Sequence, residues 1–148
     1  MVMAGVAGLI SIASCKHENF DERCAREAKE YTLKQCPQYI GKGKDLSLDS
    51  MVYSKTGDGD NVTDRTFTYY YTFSGVQDSL LNRMLKEVPD TARKRLGEFK
   101  ASMLDALTTS VQLKPYKDKG FNFEYVYHSE KKKEAILRFK FTKEDYKH

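Results

Sequence analysis

"RTFTYYYTFS", residues 65–74, alternates without a break. Phe67, Tyr69, Tyr71 and Phe73 fall on one side, and Thr66, Thr68, Tyr70 and Thr72 on the other. That period of two describes an extended chain with one face buried and one face polar. Downstream, "FNFEYVYH" repeats the pattern with Phe121, Phe123, Tyr125 and Tyr127, and the last such run aligns Ala135, Leu137, Phe139 and Phe141. Residues 129–133 join these two runs, a length that suits a hairpin. Upstream, Leu46, Leu48 and Val52 alternate with polar residues and supply a partner for the 65–74 strand.

Helical spacing fills the intervals. Asn19 with Glu22 three residues on forms a capping pair, and Phe20, Cys24, Ala28 and Tyr31 then recur as one face. Pro37 ends this helix near Gln35. Ser74 with Gln77 offers a second capping pair before the face Leu80, Leu81, Met84, Leu85 and Val88. Pro89 breaks or kinks that run, because its ring removes a donor and collides with the preceding turn. A further helical stretch carries Ala92, Leu96, Phe99, Met103 and Leu107. The expected fold is α+β in the order helix, hairpin, kinked or split helix, hairpin. Its four strands form one antiparallel sheet with helices packed on one face.

Length and composition agree with one domain: 148 residues, 40% hydrophobic and 31% charged. Ten Tyr and eight Phe, with no Trp, carry most of the large apolar volume. The formal charge of +4 is spread among 21 acidic residues, so no uncompensated basic surface for nucleic acid is expected.

From Met1 to Ser14 no residue is charged. Fourteen helical residues would span only about 21 Å against a hydrocarbon core of roughly 30 Å, so a transmembrane helix is a poor reading. The stretch instead has the length of a signal-peptide apolar region ending in small residues. Its last positions, Ile12-Ala13-Ser14-Cys15, resemble the lipobox of bacterial lipoproteins. That resemblance implies removal of residues 1–14, acylation of Cys15, a short tether over residues 15–19 and a single domain over 20–148. It also implies a cell-envelope location with membrane lipid as partner. Lys16 rather than Asp follows the cysteine, which in Gram-negative members goes with passage to the outer membrane. A basic residue ahead of the apolar run is missing, so a cytosolic protein whose first residues are a core element is the alternative. The body resembles small exported bacterial proteins of unknown function in stretches such as "FTYYYTFSG" and "KDKGFNFEYVYHSEKKKE".

Candidate chemistry is sparse. "TGDGDNVTD", residues 56–64, gathers Asp58, Asp60, Asn61 and Asp64, but Val62, Thr63 and Tyr69 stand where a calcium loop needs ligands and glycine. His17, His128 and His148 lie at no metal-ligand spacing, and no nucleophile elbow, zinc-protease, P-loop or dinucleotide motif occurs. No catalytic residue, metal or cofactor is therefore expected. Cys24 reads as a small buried residue, while the pairing of Cys36 stays open. Arg93-Lys94-Arg95 and Lys131-Lys132-Lys133 read as solvated charge or as contacts for anionic headgroups. The second sheet face, expected to display Met51, Tyr53, Tyr70, Val126 and Ile136, is the candidate surface for an unidentified envelope partner or self-association. A binding or scaffolding module is the leading reading, and a carboxylate–tyrosine enzyme site in a helix–sheet cleft is the other.

Overall fold

The computed structural model describes residues 17–147; the signal-peptide, lipobox and Cys15 readings lie outside them. Among the described residues the fold is α+β, with five strands and five α-helices. Helix α1 (Phe20–Gln35) is followed by β1 (Gln38–Ile40), β2 (Leu46–Thr56) and β3 (Thr63–Phe73). Then come α2 (Gly75–Glu87), α3 (Pro89–Thr109), α4 (Lys114–Asp118), β4 (Asn122–Ser129), β5 (Ala135–Phe141) and α5 (Lys143–Tyr146).

Several local expectations hold. Asn19 and Glu22 form a reciprocal capping box at the start of α1, with Glu22 N donating to Asn19 Oδ1 at 2.8 Å. Pro89 splits the long helical run and opens α3 as its first residue, where a missing N–H removes nothing. Ser74 does not cap α2 with its side chain. Gly75 enters the left-handed region at φ +55° directly after it. The turn is held instead by Ser74 N on Asp45 O (2.8 Å) and Gly75 N on Glu130 Oε2 (3.3 Å).

The sheet has the order β1-β2-β3-β4-β5 and is mixed: β3 and β4 run parallel, and every other neighbouring pair is antiparallel. This corrects the expectation of four antiparallel strands. The reason lies in the crossover. At 1.5 Å per residue the 21 residues of α3 span about 32 Å, close to the length of an eleven-residue strand. The helix therefore carries the chain back to the end of the sheet where β3 began, and β4 must start there, parallel to it. The fifth strand, β1, is three residues pairing with Leu46–Leu48.

The parallel register sets Phe67 beside Phe123, Tyr69 beside Tyr125 and Tyr71 beside Tyr127. Phe141, Phe139 and Leu137 continue the same rows on β5. Cys24 and Ala28 of α1, Leu107 of α3 and Tyr146 of α5 close over this aromatic face, together with Phe121 ahead of β4. Phe67, Phe121 and Phe123 are wholly buried, each worth roughly 1.5–3 kcal/mol of transfer free energy.

Candidate functional site

The five residues expected on the second sheet face do not share it. A bulge at Asp49 interrupts the β2–β3 ladder between Leu48 and Ser50. One extra residue reverses the alternation beyond it. Met51 and Tyr53 therefore join Leu48 on the aromatic side, paired with Tyr69 and Phe67, while Val52 turns outward and is 44% exposed. Tyr53 packs its ring 5.6 Å from Phe67 and 6.0 Å from Phe121. Tyr70 and Val126 lie side by side on the other face. Val126 is only 1% exposed, however, and Thr66 and Thr68, further along the neighbouring strand β3, are buried. Ile136, half-buried, is the unpaired residue where the β4–β5 register shifts. The second face is therefore not a bare apolar patch. The bulge is held by the Asp49 carboxyl, which accepts from Ser47 Oγ at 2.7 Å and from Thr72 Oγ1 across the ladder.

Where β1 ends, β2 becomes the sheet edge, and α1 caps it. Met51 N donates to Thr32 Oγ1 at 2.9 Å. The same hydroxyl lies 3.0 Å from the carbonyl oxygens of Met51 and Ala28, one of which takes its proton. A groove of about 290 Å³ runs beside this lock, walled by Ala25, Ala28 and Leu33 of α1 and by Met51 and Val52 of β2.

The aromatic face carries a ladder of phenols. Tyr69 stacks on Tyr125 at 5.2 Å and 12°, Tyr71 on Tyr127 at 4.7 Å and 13°, and Phe73 on Tyr127 at 5.3 Å. Phe99 of α3 presents an edge to both Tyr127 and Phe139, and Tyr127 Oη donates to Met103 Sδ at 3.5 Å. Burial pushes the Tyr71 hydroxyl up to about 12 and raises those of Tyr69, Tyr125 and Tyr127 still further. Such phenols stay protonated and serve as packing with a polar tip.

The helix–sheet cleft foreseen for an enzyme does exist. It has a volume of about 710 Å³ and is lined by Asp21 and Glu22 of α1, Tyr53 and Lys55 of β2, and Asp58 and Asp60 of the following turn. Two of its groups, Asp21 and Tyr53, are engaged with each other and with Arg65. Asp21 accepts from Arg65 Nε (2.8 Å), from Arg65 Nη2 (3.3 Å) and from Tyr53 Oη. The Arg65 guanidinium, helped by that phenol, holds the Asp21 carboxyl below the usual range against the opposing effect of burial. Burial and the Asp21 hydrogen bond push Tyr53 well above a normal phenol. Neither group is poised to exchange a proton near neutral pH. Arg23, Arg65 and Lys119 gather around the Phe20 ring, with Lys119 Nζ 4.6 Å from its centroid. Lys55 pairs with Asp58 at 2.8 Å in the 56–64 loop. Among the described residues no group of three or more His, Cys, Asp or Glu side chains could hold a metal ion.

Cys24 and Cys36 are free thiols, and burial pushes the Cys24 thiol up to about 11. Among the described residues, no helix is long and apolar enough to cross a membrane.

One polar cluster was not foreseen. Asp78, in the first turn of α2, is 0% exposed. Its carboxyl accepts from Ser129 Oγ (2.7 Å), Asn82 Nδ2 (2.8 Å) and Lys131 N (3.1 Å). This network ties α2 to the β4–β5 turn that carries Lys131, Lys132 and Lys133. Asn82 Oδ1 alone is buried without a partner among the described residues. An acid in the first turn of a helix ordinarily reads as a complement to the helix dipole, so its burial leaves no mark in the sequence.

A family model for a domain of unknown function, DUF8479, matches residues 19–137, and the chain belongs to that family. No curated protein matches the sequence. The fold is similar to a crystal structure from Pseudomonas aeruginosa described as a "putative secreted protein". The TM-score is 0.58 at 13% identity, covering 86% of this chain and 92% of that one. At that identity the likeness concerns the fold.

Proposed function

We propose that this DUF8479 protein is an exported, lipid-anchored envelope protein whose α+β domain binds or scaffolds rather than catalyses. The reading takes residues 1–14 as a signal peptide and Cys15 as the acylated residue, with the outer membrane of a Gram-negative bacterium as destination. The observation that carries it is the spacing between the Ile12-Ala13-Ser14-Cys15 motif and the start of the fold. Arg26 grips Glu18 with two bonds, at 2.7 and 3.1 Å, and the capping box begins at Asn19. Lys16 and His17 alone separate Cys15 from that anchored point, a reach of about 10 Å over three residue steps. A domain that begins so soon after the cysteine would lie close against the headgroups. Two or three acyl chains would hold it there, since each buried methylene contributes about 0.8 kcal/mol. The "secreted" description of the structural neighbour supports export. The closed Asp21–Arg65–Tyr53 cluster supports binding over acid–base chemistry.

Metabolic labelling with palmitate in a bacterial host tests the reading. Label should enter the wild type and the Cys24→Ser variant and be lost from Cys15→Ser. Label retained in Cys15→Ser, or absent from all three, would overturn it.

A further inference from the structure

The Lys131–Lys133 triplet acquires a role once α2 is placed beside it. A cavity of about 420 Å³ opens between α2 and the β4–β5 turn, lined by Asn82, Arg83, Leu85, Lys86, Glu87 and Lys132. Three cations and one acid surround it, and Glu87 is taken up by Arg83, whose Nε donates to Glu87 Oε2 at 3.0 Å. We propose that this cavity binds a phosphate-bearing anion, a phosphomonoester or diphosphate, through Arg83, Lys86 and Lys132.

The cations come from elements far apart in sequence, and a dedicated device brings them together. Asp78 is fully buried and holds Ser129 Oγ and Lys131 N, so the turn bearing Lys132 is fixed to the helix bearing Arg83 and Lys86. Lys132 N also donates to Ser129 Oγ at 3.3 Å, and Lys131 Nζ donates to Ser79 Oγ at 2.6 Å. Burying a carboxyl group is unfavourable unless it is fully hydrogen-bonded. Here that burial positions a basic turn that loop flexibility would otherwise leave loose. A rigid arrangement lowers the ordering penalty of binding. Among the lining side chains three cations less Glu87 leave two positive charges, which match a dianion better than a single carboxylate. Arginine adds a planar fork for two phosphate oxygens, and lysine adds point charges.

The site lies at the end of the sheet opposite the start of α1. β3 begins beside Asp21, bonded through Arg65, and its eleven residues run about 36 Å to Phe73, just before α2. The cavity therefore lies at the end of the sheet far from Asn19.

The source of the phosphate separates in two arms. Purified protein is titrated calorimetrically with sodium pyrophosphate at low and raised salt. In parallel it is sedimented with phosphatidylcholine vesicles with and without phosphatidic acid. The Lys86→Ala/Lys132→Ala double variant should bind pyrophosphate at least tenfold more weakly than wild type. The Lys143→Ala/Lys147→Ala double variant, which removes the same charge at the other end, should change affinity less than twofold. All these lysines are exposed, so unchanged thermal melting verifies folding. Pyrophosphate binding with phosphatidic-acid-dependent sedimentation assigns the site to a lipid phosphomonoester; pyrophosphate binding without it assigns a soluble phosphate compound. Equal losses in the two double variants, or no binding of pyrophosphate by the wild type, would overturn the proposal.

Discussion

Replacing Asp78 with alanine should be among the most damaging single changes outside the aromatic core. The side chain is wholly buried and serves three donors. Asn82 Nδ2 keeps another acceptor, the Asp78 carbonyl at 2.8 Å, so it loses little. Ser129 Oγ–H and Lys131 N–H lose their acceptor outright. A buried donor left unsatisfied costs about 1–3 kcal/mol, and the part-buried Lys131 N–H, which water can reach, adds less, so the loss amounts to about 2 kcal/mol. Against the 5–15 kcal/mol typical of a domain, that is a large fraction. With a urea dependence of about 2 kcal/mol/M, the midpoint should fall by about 1 M. The Asp78→Ala/Ser129→Ala variant removes acceptor and hydroxyl together and should be at least 0.5 kcal/mol more stable than the sum of the single losses, the lower bound for residues in one network. A loss below about 1 kcal/mol for Asp78→Ala, or strict additivity in the cycle, would refute the assignment of the network as the tie between α2 and the β4–β5 turn.

Three further outcomes follow from other parts of the fold. Because Arg65 depresses Asp21, the stabilisation from this pair is complete above the normal carboxylate range, near pH 4, and is lost as pH falls through the lower folded-state value; acid titration of unfolding should show wild type losing more stability below pH 4 than Arg65→Met, and parallel curves would contradict it. Phe67→Ala opens a cavity where Tyr53, Tyr116, Phe121 and Phe123 meet and should lose about 3–5 kcal/mol by chemical denaturation. Thr32→Val removes the hydroxyl that caps the β2 edge at Met51, so stability should fall by about 1–2 kcal/mol and light scattering on heating should rise, because an uncapped edge recruits other strands.

The sequence was most legible where one period persisted over many residues. The alternation of residues 65–74 and 121–128 marked β3 and β4, and the helix from Phe20 was bounded at both ends by its capping box and Pro37. Strand direction was not legible from alternation, which is the same for parallel and antiparallel pairs. The length of α3, which returns the chain along the whole sheet, was the signal that could have revealed it. β1 spans three residues, Gln38–Ile40, too few to display a period. The placement of Met51 and Tyr53 failed because a single bulge residue, Asp49, inverts the side chains that follow it as far as the next irregularity at Ser54, and only its partners, Ser47 on the same strand and Thr72 across the ladder, reveal why an acid is tolerated there. Asp78 and Ser129 stand 51 positions apart and meet through tertiary structure alone.

Intact mass of the protein extracted from native membranes tests export and anchoring most directly. The expected species begins at Cys15, lacks residues 1–14, and carries a diacylglyceryl group with or without an additional amide-linked acyl chain. A species that retains Met1 and bears no lipid would contradict the proposed export and lipid anchoring.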